Sequence, residues 1–203
     1  MELLLFSDLH RDREAAQHLL EMAQSQPVDV AVGAGDFASV REGLEDVLDI
    51  LRELPCPAVL VAGNAETDDE LKQATDNWPD AHVLHGQSVQ IDGVTFFGLG
   101  GAVPVTPFGS WSFDLDEATA AAMLGDCPDH AVLVTHSPPR GVVDTNRNGT
   151  HLGSLAIREA IEHHQLRLAV CGHIHDCWET EGRVGSTPVV NAGPRGMRWS
   201  LNM

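Results

Sequence analysis

Basic residues are scarce in this chain. Only 12 of its 203 residues are Lys or Arg, against 30 Asp or Glu, and the formal net charge is −18. Lys72 is the only lysine. An acidic surface of this kind repels phosphate backbones and anionic lipids, which argues against long nucleic acid and membrane surfaces as partners. No long acidic run stands apart as a tail, so we interpret the charge as a solubility feature.

The chain also lacks the signals of export, disulfide bonding and membrane insertion. No basic segment precedes the first apolar run at residues 3–6, as a signal peptide requires. The four cysteines form no Cys-x-x-Cys pair, and a chain of this length has no need of disulfides. No apolar stretch is long enough to span a bilayer. We therefore expect a cytoplasmic protein with reduced thiols.

Repeats, linkers and low-complexity tracts are absent as well, so we expect one domain over residues 1–203. In the first half, short apolar strands alternate with helices predicted at about 12–25 and 41–53, which favours parallel strands. Asp92-Gly93 between two extended segments predicts an antiparallel hairpin. Another turn is predicted at Glu181-Gly182. The sequence thus indicates an α/β fold with both strand arrangements.

Five short polar motifs each follow a short apolar run. Runs rich in aliphatic and β-branched residues predict buried strands. Ligands in open α/β sheets bind beyond the carboxyl ends of strands, so we expect the motifs to meet at one rim of a sheet. Residues 100–113, rich in Gly, Pro and aromatic side chains, are predicted to form a loop near this rim. The motifs are Asp8-Leu9-His10, Gly35-Asp36, Gly63-Asn64, Thr135-His136 and Gly172-His173-Ile174-His175.

The residue types in these motifs suit metal ions. Carboxylate, amide oxygen and imidazole together favour Mn²⁺, Fe, Zn²⁺ or Ni²⁺ over Ca²⁺ or a thiolate-bound metal. A spacing of two residues lets Asp8 and His10 turn toward one ion, and His173 and His175 repeat that spacing. The two oxygens of Asp36 can bridge two ions. The donors suffice for two divalent ions about 3.5–4 Å apart, a pair that binds phosphate oxygens and lowers the pKa of a bridging water.

The order of the motifs resembles that of the calcineurin-like metallophosphoesterase superfamily, whose pattern is D-x-H, G-D, G-N-x-[D/E], a later H, and G-H-x-H. The resemblance runs from residue 3 to residue 194, and it is greatest to a small bacterial and archaeal branch. It implies a four-layer α/β/β/α sandwich of two mixed sheets. It also implies two ion sites that share Asp36. The further ligands implied are Asp8, His10 and His175 for one ion, and Asn64, His136 and His173 for the other.

One position departs from the family pattern. Many members have His after Gly-Asn, where it protonates the leaving group or contacts phosphate, and this chain has Ala65. We therefore predict a preference for esters with good leaving groups. His151 is a candidate substitute, although it could instead fix a loop turn. Arg140 and Arg147 are candidate phosphate contacts that could equally be ordinary exposed arginines.

The resemblance implies metal-dependent hydrolysis of a small phosphoester by a metal-activated water, and we expect a phosphodiester rather than a monoester. Catalytic roles fall to His136 and Asn64 besides ligation, with His151 and Arg140 as further candidates. A catalytically weak or inactive binding module is the alternative, which Ala65 favours and the complete ligand set opposes. A nuclease for long nucleic acid is a third hypothesis, which the acidic charge opposes. The sequence leaves the substrate, the native metal and the oligomeric state open.

Overall fold

Two mixed β-sheets form the centre of the molecule in the computed structural model, which describes residues 1–202. The first sheet has five strands, β1 (Glu2–Phe6), β2 (Val30–Gly33), β3 (Ala58–Leu60), β4 (Ala81–Val83) and β11 (Met197–Ser200). Their order is β11-β1-β2-β3-β4, in which the β11–β1 pair is antiparallel and the others are parallel. The parallel pairs follow from the predicted alternation of strands and helices.

The second sheet has six strands, β5 (Gln87–Ile91), β6 (Val94–Leu99), β7 (Val132–Thr135), β8 (Leu168–Cys171), β9 (Thr180–Val184) and β10 (Thr187–Asn191). Their order is β5-β6-β7-β8-β10-β9. The outer pairs are antiparallel hairpins and the inner pairs are parallel. The hairpin predicted at Asp92-Gly93 is confirmed, because Ile91 pairs with Val94 across that turn.

Alternation of side chains along the strands builds the layers. Leu3 and Leu5 of β1 point between the two sheets, where they share a core with Val132 and Val134 of β7. Leu4, the intervening residue, packs on the other side of the first sheet. This is the period of two that strands impose. Both sheets therefore have an inner face against each other and an outer face against helices.

Five helices cover the outer faces. They are α1 (Arg13–Ser25), α2 (Leu44–Leu51), α3 (Asp68–Ala74), α4 (Glu117–Leu124) and α5 (Leu155–His163). The first three pack on the first sheet, and the last two pack on the second. The predicted four-layer α/β/β/α sandwich is thus confirmed. No helix of residues 1–202 combines the length and the hydropathy needed to cross a bilayer.

Two local predictions differ from the structure. The helix predicted at 41–53 begins only at Leu44, because Arg41 and Gly43 have φ angles of 68° and 73°, which no right-handed helix contains. The turn predicted at Glu181-Gly182 is wrong. Those residues lie within β9, and the chain reverses at Gly185, whose φ is 57°.

Helix α3 is absent from the sequence-based prediction. Leu71 is its one buried residue, so it has no apolar stripe that a periodic pattern could reveal. Its start does carry a signal, since Thr67 and Glu70 form a capping box with both reciprocal hydrogen bonds. Capping chemistry therefore predicts this helix where hydrophobic periodicity cannot.

Candidate metal centre

The five motifs meet, but not at the rim of one sheet as predicted, because β1, β2 and β3 belong to the first sheet and β7 and β8 to the second. The two sheets pack face to face, so the carboxyl ends of both sets of strands come together. Four of the predicted ligands have left-handed backbone conformations. The φ angles are 56° at Asp8, 44° at His10, 57° at Asp36 and 66° at His173. Such conformations cost about 1–3 kcal/mol each and cluster at functional sites. The loops hold these side chains in place against a local backbone preference.

Asp8, His10 and His175 form one group of donor atoms. His10 Nε2 lies 3.2 Å from His175 Nε2. Asp8 Oδ1 lies 4.0 Å from His10 Nε2 and 3.7 Å from His175 Nε2. His10 Nδ1 lies 3.3 Å from the carbonyl oxygen of Ala38, which orients the ring. One ligand atom from each of the three residues lies within 4.8 Å of the others, so the group could hold an ion.

His136, Asn64 and His173 form a second group. His136 Nε2 lies 3.2 Å from Asn64 Oδ1 and 3.2 Å from His173 Nδ1. On its other side, the His136 ring donates Nδ1–H to the carbonyl oxygen of Ala34 over 2.8 Å. Since His136 is fully buried, this bond fixes both the orientation of the ring and its tautomer.

Asp36 lies between the two groups. Its Oδ1 is 3.4 Å from His136 Nε2, and its Oδ2 is 3.6 Å from His10 Nε2. The backbone N–H of Ala65 donates to Oδ1 over 2.8 Å and fixes the carboxylate. Each oxygen thus faces a different group. The sharing of Asp36 by two ions stays a prediction, and this orientation supports it.

The second group is made of atoms that accept hydrogen bonds. When the His136 ring is neutral, its Nε2 lone pair faces Asn64 Oδ1 and Asp36 Oδ1, and acceptors repel one another unless a proton or a cation lies between them. Burial disfavours a charged ring, but the carboxylates of Asp36 and Asp8 outweigh it and raise the pKa of His136 to about 9. The site therefore attracts positive charge, and the nitrogen and oxygen donors fit a divalent ion.

The surroundings of Asp36 and His173 favour the protonation states that ligands need, whereas His136, with its raised pKa, must lose its proton when an ion binds. Burial opposes ionisation of Asp36, but His136 and His10 together bring its pKa below the ordinary value. Burial, reinforced by the charge of His136, lowers the pKa of His173 to about 3. Asp36 is thus anionic and His173 neutral near neutral pH, as metal ligation requires.

Two glycines make space for the carboxylates. A Cβ at Gly63 would overlap the backbone nitrogen and Oδ1 of Asp36. A Cβ at Gly172 would overlap Asp8 Oδ2 and the hydroxyl of Ser7. Any larger residue at these positions would displace a predicted ligand. The glycines of these two motifs therefore let the backbone lie close to the carboxylates of Asp36 and Asp8.

Glu66 supports the site in a way that sequence reasoning missed. It is buried, and its carboxylate accepts the N–H groups of Asp36, Ala38 and Gly63. Burial and the charge of Asp36 raise its pKa to about 7, against the opposing effect of the N–H donors. The signal was present, since Glu66 occupies the last position of the G-N-x-[D/E] pattern.

Asp8 has two further partners that no sequence signal indicated. Trp178 donates Nε1–H to Asp8 Oδ2 over 3.2 Å from 170 positions away. The Ser7 hydroxyl donates to the same oxygen, and Gly193 N–H donates to the Ser7 hydroxyl over 3.0 Å. The segment 191–194 therefore helps to orient Asp8 through Gly193.

The three candidates in the loop after His136 do not line the cleft, although Asn146 and Leu152, next to Arg147 and His151 in the chain, do. His151 Nδ1 is 2.7 Å from Asp144 Oδ1, and this buried carboxylate also accepts the N–H of Gly153 over 3.0 Å. Arg147 donates to Asp176 over 2.8 Å, and Arg140 is exposed. Neither His151 nor either arginine is among the described residues that line the cleft over the donors. His151 thus has the contacts of a residue that fixes a loop.

A cleft of about 360 Å³ opens over the donor groups. His10, Asp36 and His173 contribute to its surface. The segment 100–113 forms the predicted loop, and its Phe108 and Trp111 line the same cleft. A small molecule in this cleft would thus contact the donors and the loop together.

A model of the calcineurin-like phosphoesterase superfamily domain matches residues 1–201. No curated protein matches the chain. A structure from Thermus thermophilus is similar at 18% identity and a TM-score of 0.77, covering 96% of this chain and 90% of that one. An archaeal phosphodiesterase has 17% identity and a TM-score of 0.57 over 95% and 84% of the two chains. A dimetal phosphatase from Danio rerio has 11% identity and a TM-score of 0.65 over 96% and 88%.

The structural likenesses, at such low identity, establish the fold alone. The family match spans nearly the whole chain and agrees with the five motifs at the strand ends. On these grounds, the chain belongs to the calcineurin-like phosphoesterase superfamily.

Proposed function

We propose that this protein hydrolyses a small phosphodiester with the help of two divalent ions, drawn from Mn, Fe, Zn and Ni. The observation that carries the proposal is the position of Asp36, whose two oxygens face the two donor groups at 3.4 Å and 3.6 Å. Asp36 would contact both ions. The other ligands would be Asp8, His10 and His175 for one ion, and Asn64, His136 and His173 for the other. Two such ions, when bound, offset charge on phosphate oxygens and lower the pKa of an attacking water.

The charges of the ligands suit an anionic substrate. Asp8 and Asp36 are the acidic members of the set, while Asn64 and the histidines are neutral donors. Two carboxylates do not cancel two divalent ions, so the loaded centre keeps a positive charge. That charge attracts a phosphate group into a molecule that is otherwise strongly acidic.

Two features favour a phosphodiester with a good leaving group. Ala65 lines the cleft where many family members have His, and its methyl group has no proton to give to a departing alcohol. None of the described residues lining the cleft is Lys or Arg. A phosphodiester has one negative charge where a monoester has up to two, so the diester makes less demand for further cations. His151 and Arg140 stay proposals as auxiliary groups.

The test compares bis(4-nitrophenyl) phosphate with 4-nitrophenyl phosphate in the presence of Mn²⁺. We expect the diester to turn over with the higher kcat/KM. Asp36→Asn is expected to lower kcat/KM by at least about 100-fold, because ion-based charge stabilisation contributes several kcal/mol. Asp126→Asn makes the same change at an exposed position and is expected to leave turnover intact.

Two results would contradict the proposal. Full activity in Asp36→Asn would refute the assigned centre. Metal-loaded wild-type protein that turns over neither ester would instead support the binding module, the alternative that Ala65 favours.

A further inference from the structure

One wall of the cleft is apolar. Val40, Phe108 and Leu152 line it with 53%, 50% and 42% of their surfaces exposed. Within residues 1–202, five large apolar side chains are this exposed, and three of them share this cleft. Clusters of exposed apolar side chains that are rimmed by polar residues are typical of ligand-binding grooves, whereas single exposed ones are not. We call Val40, Phe108, Trp111 and Leu152 the apolar shelf.

The aromatic part of the shelf is held in place. The rings of Phe108 and Trp111 stack with centroids 5.5 Å apart and planes 10° apart. Arg41 donates Nη1–H to the carbonyl oxygen of Trp111 over 3.3 Å. The loop is joined to the donor groups through Phe113, whose N–H donates to the carbonyl oxygen of Asn64 over 3.0 Å. The shelf is thus preformed beside the metal centre, which lowers the entropic cost of binding.

Val40 has a backbone conformation that β-branched residues avoid. Its φ is 50°, and Arg41 follows at 68°. The N–H of Arg41 donates to the carbonyl oxygen of Ala65 over 2.8 Å, which holds this segment against the motif that carries Asn64. Strained residues persist where surrounding structure fixes them, and they cluster at ligand sites. The strain here leaves an apolar side chain exposed at the edge of the cleft.

The cleft offers no side-chain cation to a charged substituent. The lining residues within 1–202 include no Lys or Arg. Asp176 adds a carboxylate to the lining, and its charge is paired with Arg147. On the shelf itself, away from the ions, a second phosphate or a carboxylate would lose hydration and find no free cation, since Arg147 is already paired with Asp176. The part of the substrate that lies on the shelf is therefore uncharged.

We propose that the substrates of this protein are phosphoesters whose organic group next to phosphorus is apolar and uncharged. That group lies on the apolar shelf while the phosphate lies over the donor groups. The cleft volume of about 360 Å³ is near the small end of ligand pockets and accommodates a ring with its phosphate. This inference rests on the proposed function and names the substrate class of the same site.

Binding of two phosphonates to the Mn²⁺-loaded protein tests the inference without turnover. Phenylphosphonate and methylphosphonate share the phosphonate and differ in the ring. We expect phenylphosphonate to bind at least about tenfold more tightly by calorimetry, since the ring buries apolar surface. 4-Carboxyphenylphosphonate, with a charge on the same ring, is expected to bind several-fold more weakly than phenylphosphonate.

Shelf variants locate the contact. Phe108→Ala is expected to lower the phenyl-to-methyl affinity ratio about fivefold and to leave methylphosphonate binding within about twofold of wild type. Leu152→Ala is expected to lower the ratio in the same way. Val105→Ala is the control, because Val105 is 61% exposed in the same loop but is not among the residues lining the cleft. Its ratio is expected to match wild type.

The outcomes separate the inference from the proposed function. If both phosphonates bind with equal affinity, the substrate class is wrong while the phosphate site stands. If Val105→Ala lowers the ratio as much as Phe108→Ala, the shelf is not the contact. If neither phosphonate binds the metal-loaded protein, the proposed function is wrong and the inference is overturned with it.

Discussion

Replacing Glu66 with Gln changes one atom of a carboxylate that joins two loops carrying predicted metal ligands. Glu66 is 1% exposed. Its Oε1 accepts the N–H groups of Asp36 and Gly63 at 2.9 Å and 2.7 Å, and its Oε2 accepts that of Ala38 at 2.9 Å. These bonds hold the loop after β2 against the loop after β3. They therefore set the distance between Asp36 and Asn64.

The magnitude follows from counting the bonds that Gln can keep. Gln has one acceptor oxygen, and the orientation that keeps it on Asp36 and Gly63 leaves the Ala38 N–H facing an NH₂ group. One unpaired buried N–H costs about 1–3 kcal/mol, which is the expected loss in the free energy of unfolding. A domain with a stability of about 5–15 kcal/mol stays folded after that loss. Outer partners of metal ligands contribute about 10–100-fold to affinity, so we expect Mn²⁺ binding to weaken by that factor.

Two measurements check this prediction. Urea unfolding with a chelator present gives the stability of the metal-free protein, and calorimetry gives the affinity for Mn²⁺. Glu159→Gln makes the same chemical change at an exposed position of α5 and is expected to alter neither quantity. If Glu66→Gln matches Glu159→Gln in both stability and Mn²⁺ affinity, the reasoning from the three N–H groups is refuted.

Three further predictions concern single positions. Gly172→Ala brings a methyl group into overlap with Asp8 Oδ2. We therefore expect calorimetry to give an Mn²⁺ affinity at least about tenfold lower than that of wild type. An unchanged affinity would contradict the close approach of the two residues. Ala65→His adds a proton donor to the cleft. We expect kcat for phenyl esters, which have poor leaving groups, to rise by more than about tenfold, and kcat for nitrophenyl esters to change little. Equal effects on both esters would contradict the inference that the cleft lacks a general acid. Burial raises the pKa of the Cys127 thiol to about 12. At pH 8 we therefore expect a disulfide reagent to react first with Cys177, which is less buried. Faster labelling of Cys127 than of Cys177 would contradict this prediction.

The candidate donor residues could be named from the sequence because the signals that mark them are local. Each donor directly follows a short apolar strand, and parallel strands of one sheet bring their carboxyl ends to one rim. The meeting of the two rims depends on how the sheets pack, which the strand pattern does not give. Asp8 and His10 needed only their spacing and the strand before them. The same holds for His173 and His175, which follow β8. Residue type and order therefore sufficed to predict which side chains would cluster, while their binding of metal stays a prediction.

The supports of the donors could not be predicted, because they depend on contacts between distant segments. Trp178 reaches Asp8 across 170 positions, and no motif links the two. The loop that holds Phe108 could be placed near the rim, but its contact with the donor groups depends on a hydrogen bond from Phe113 to Asn64. Side-chain packing decides these contacts, and periodicity gives no information about it.

The difference between motif residues and loop residues bears on substrate specificity. The donors are fixed by motifs that a whole superfamily uses, whereas the apolar shelf is built from Val40, Phe108, Trp111 and Leu152, which lie in loops outside those motifs. Function resides in sites that folds carry, and loops vary more freely than the strands they connect. Proteins that share all five motifs can therefore share the reaction at phosphorus and still differ in the organic group they accept. Ala65 is a further position at which this chain can differ from its relatives, because it lies inside the G-N-x-[D/E] motif at the position where many members have His. On the proposed function, we expect a change at Ala65 to alter the proton supply to the leaving group, and a change on the shelf to alter which leaving group is bound.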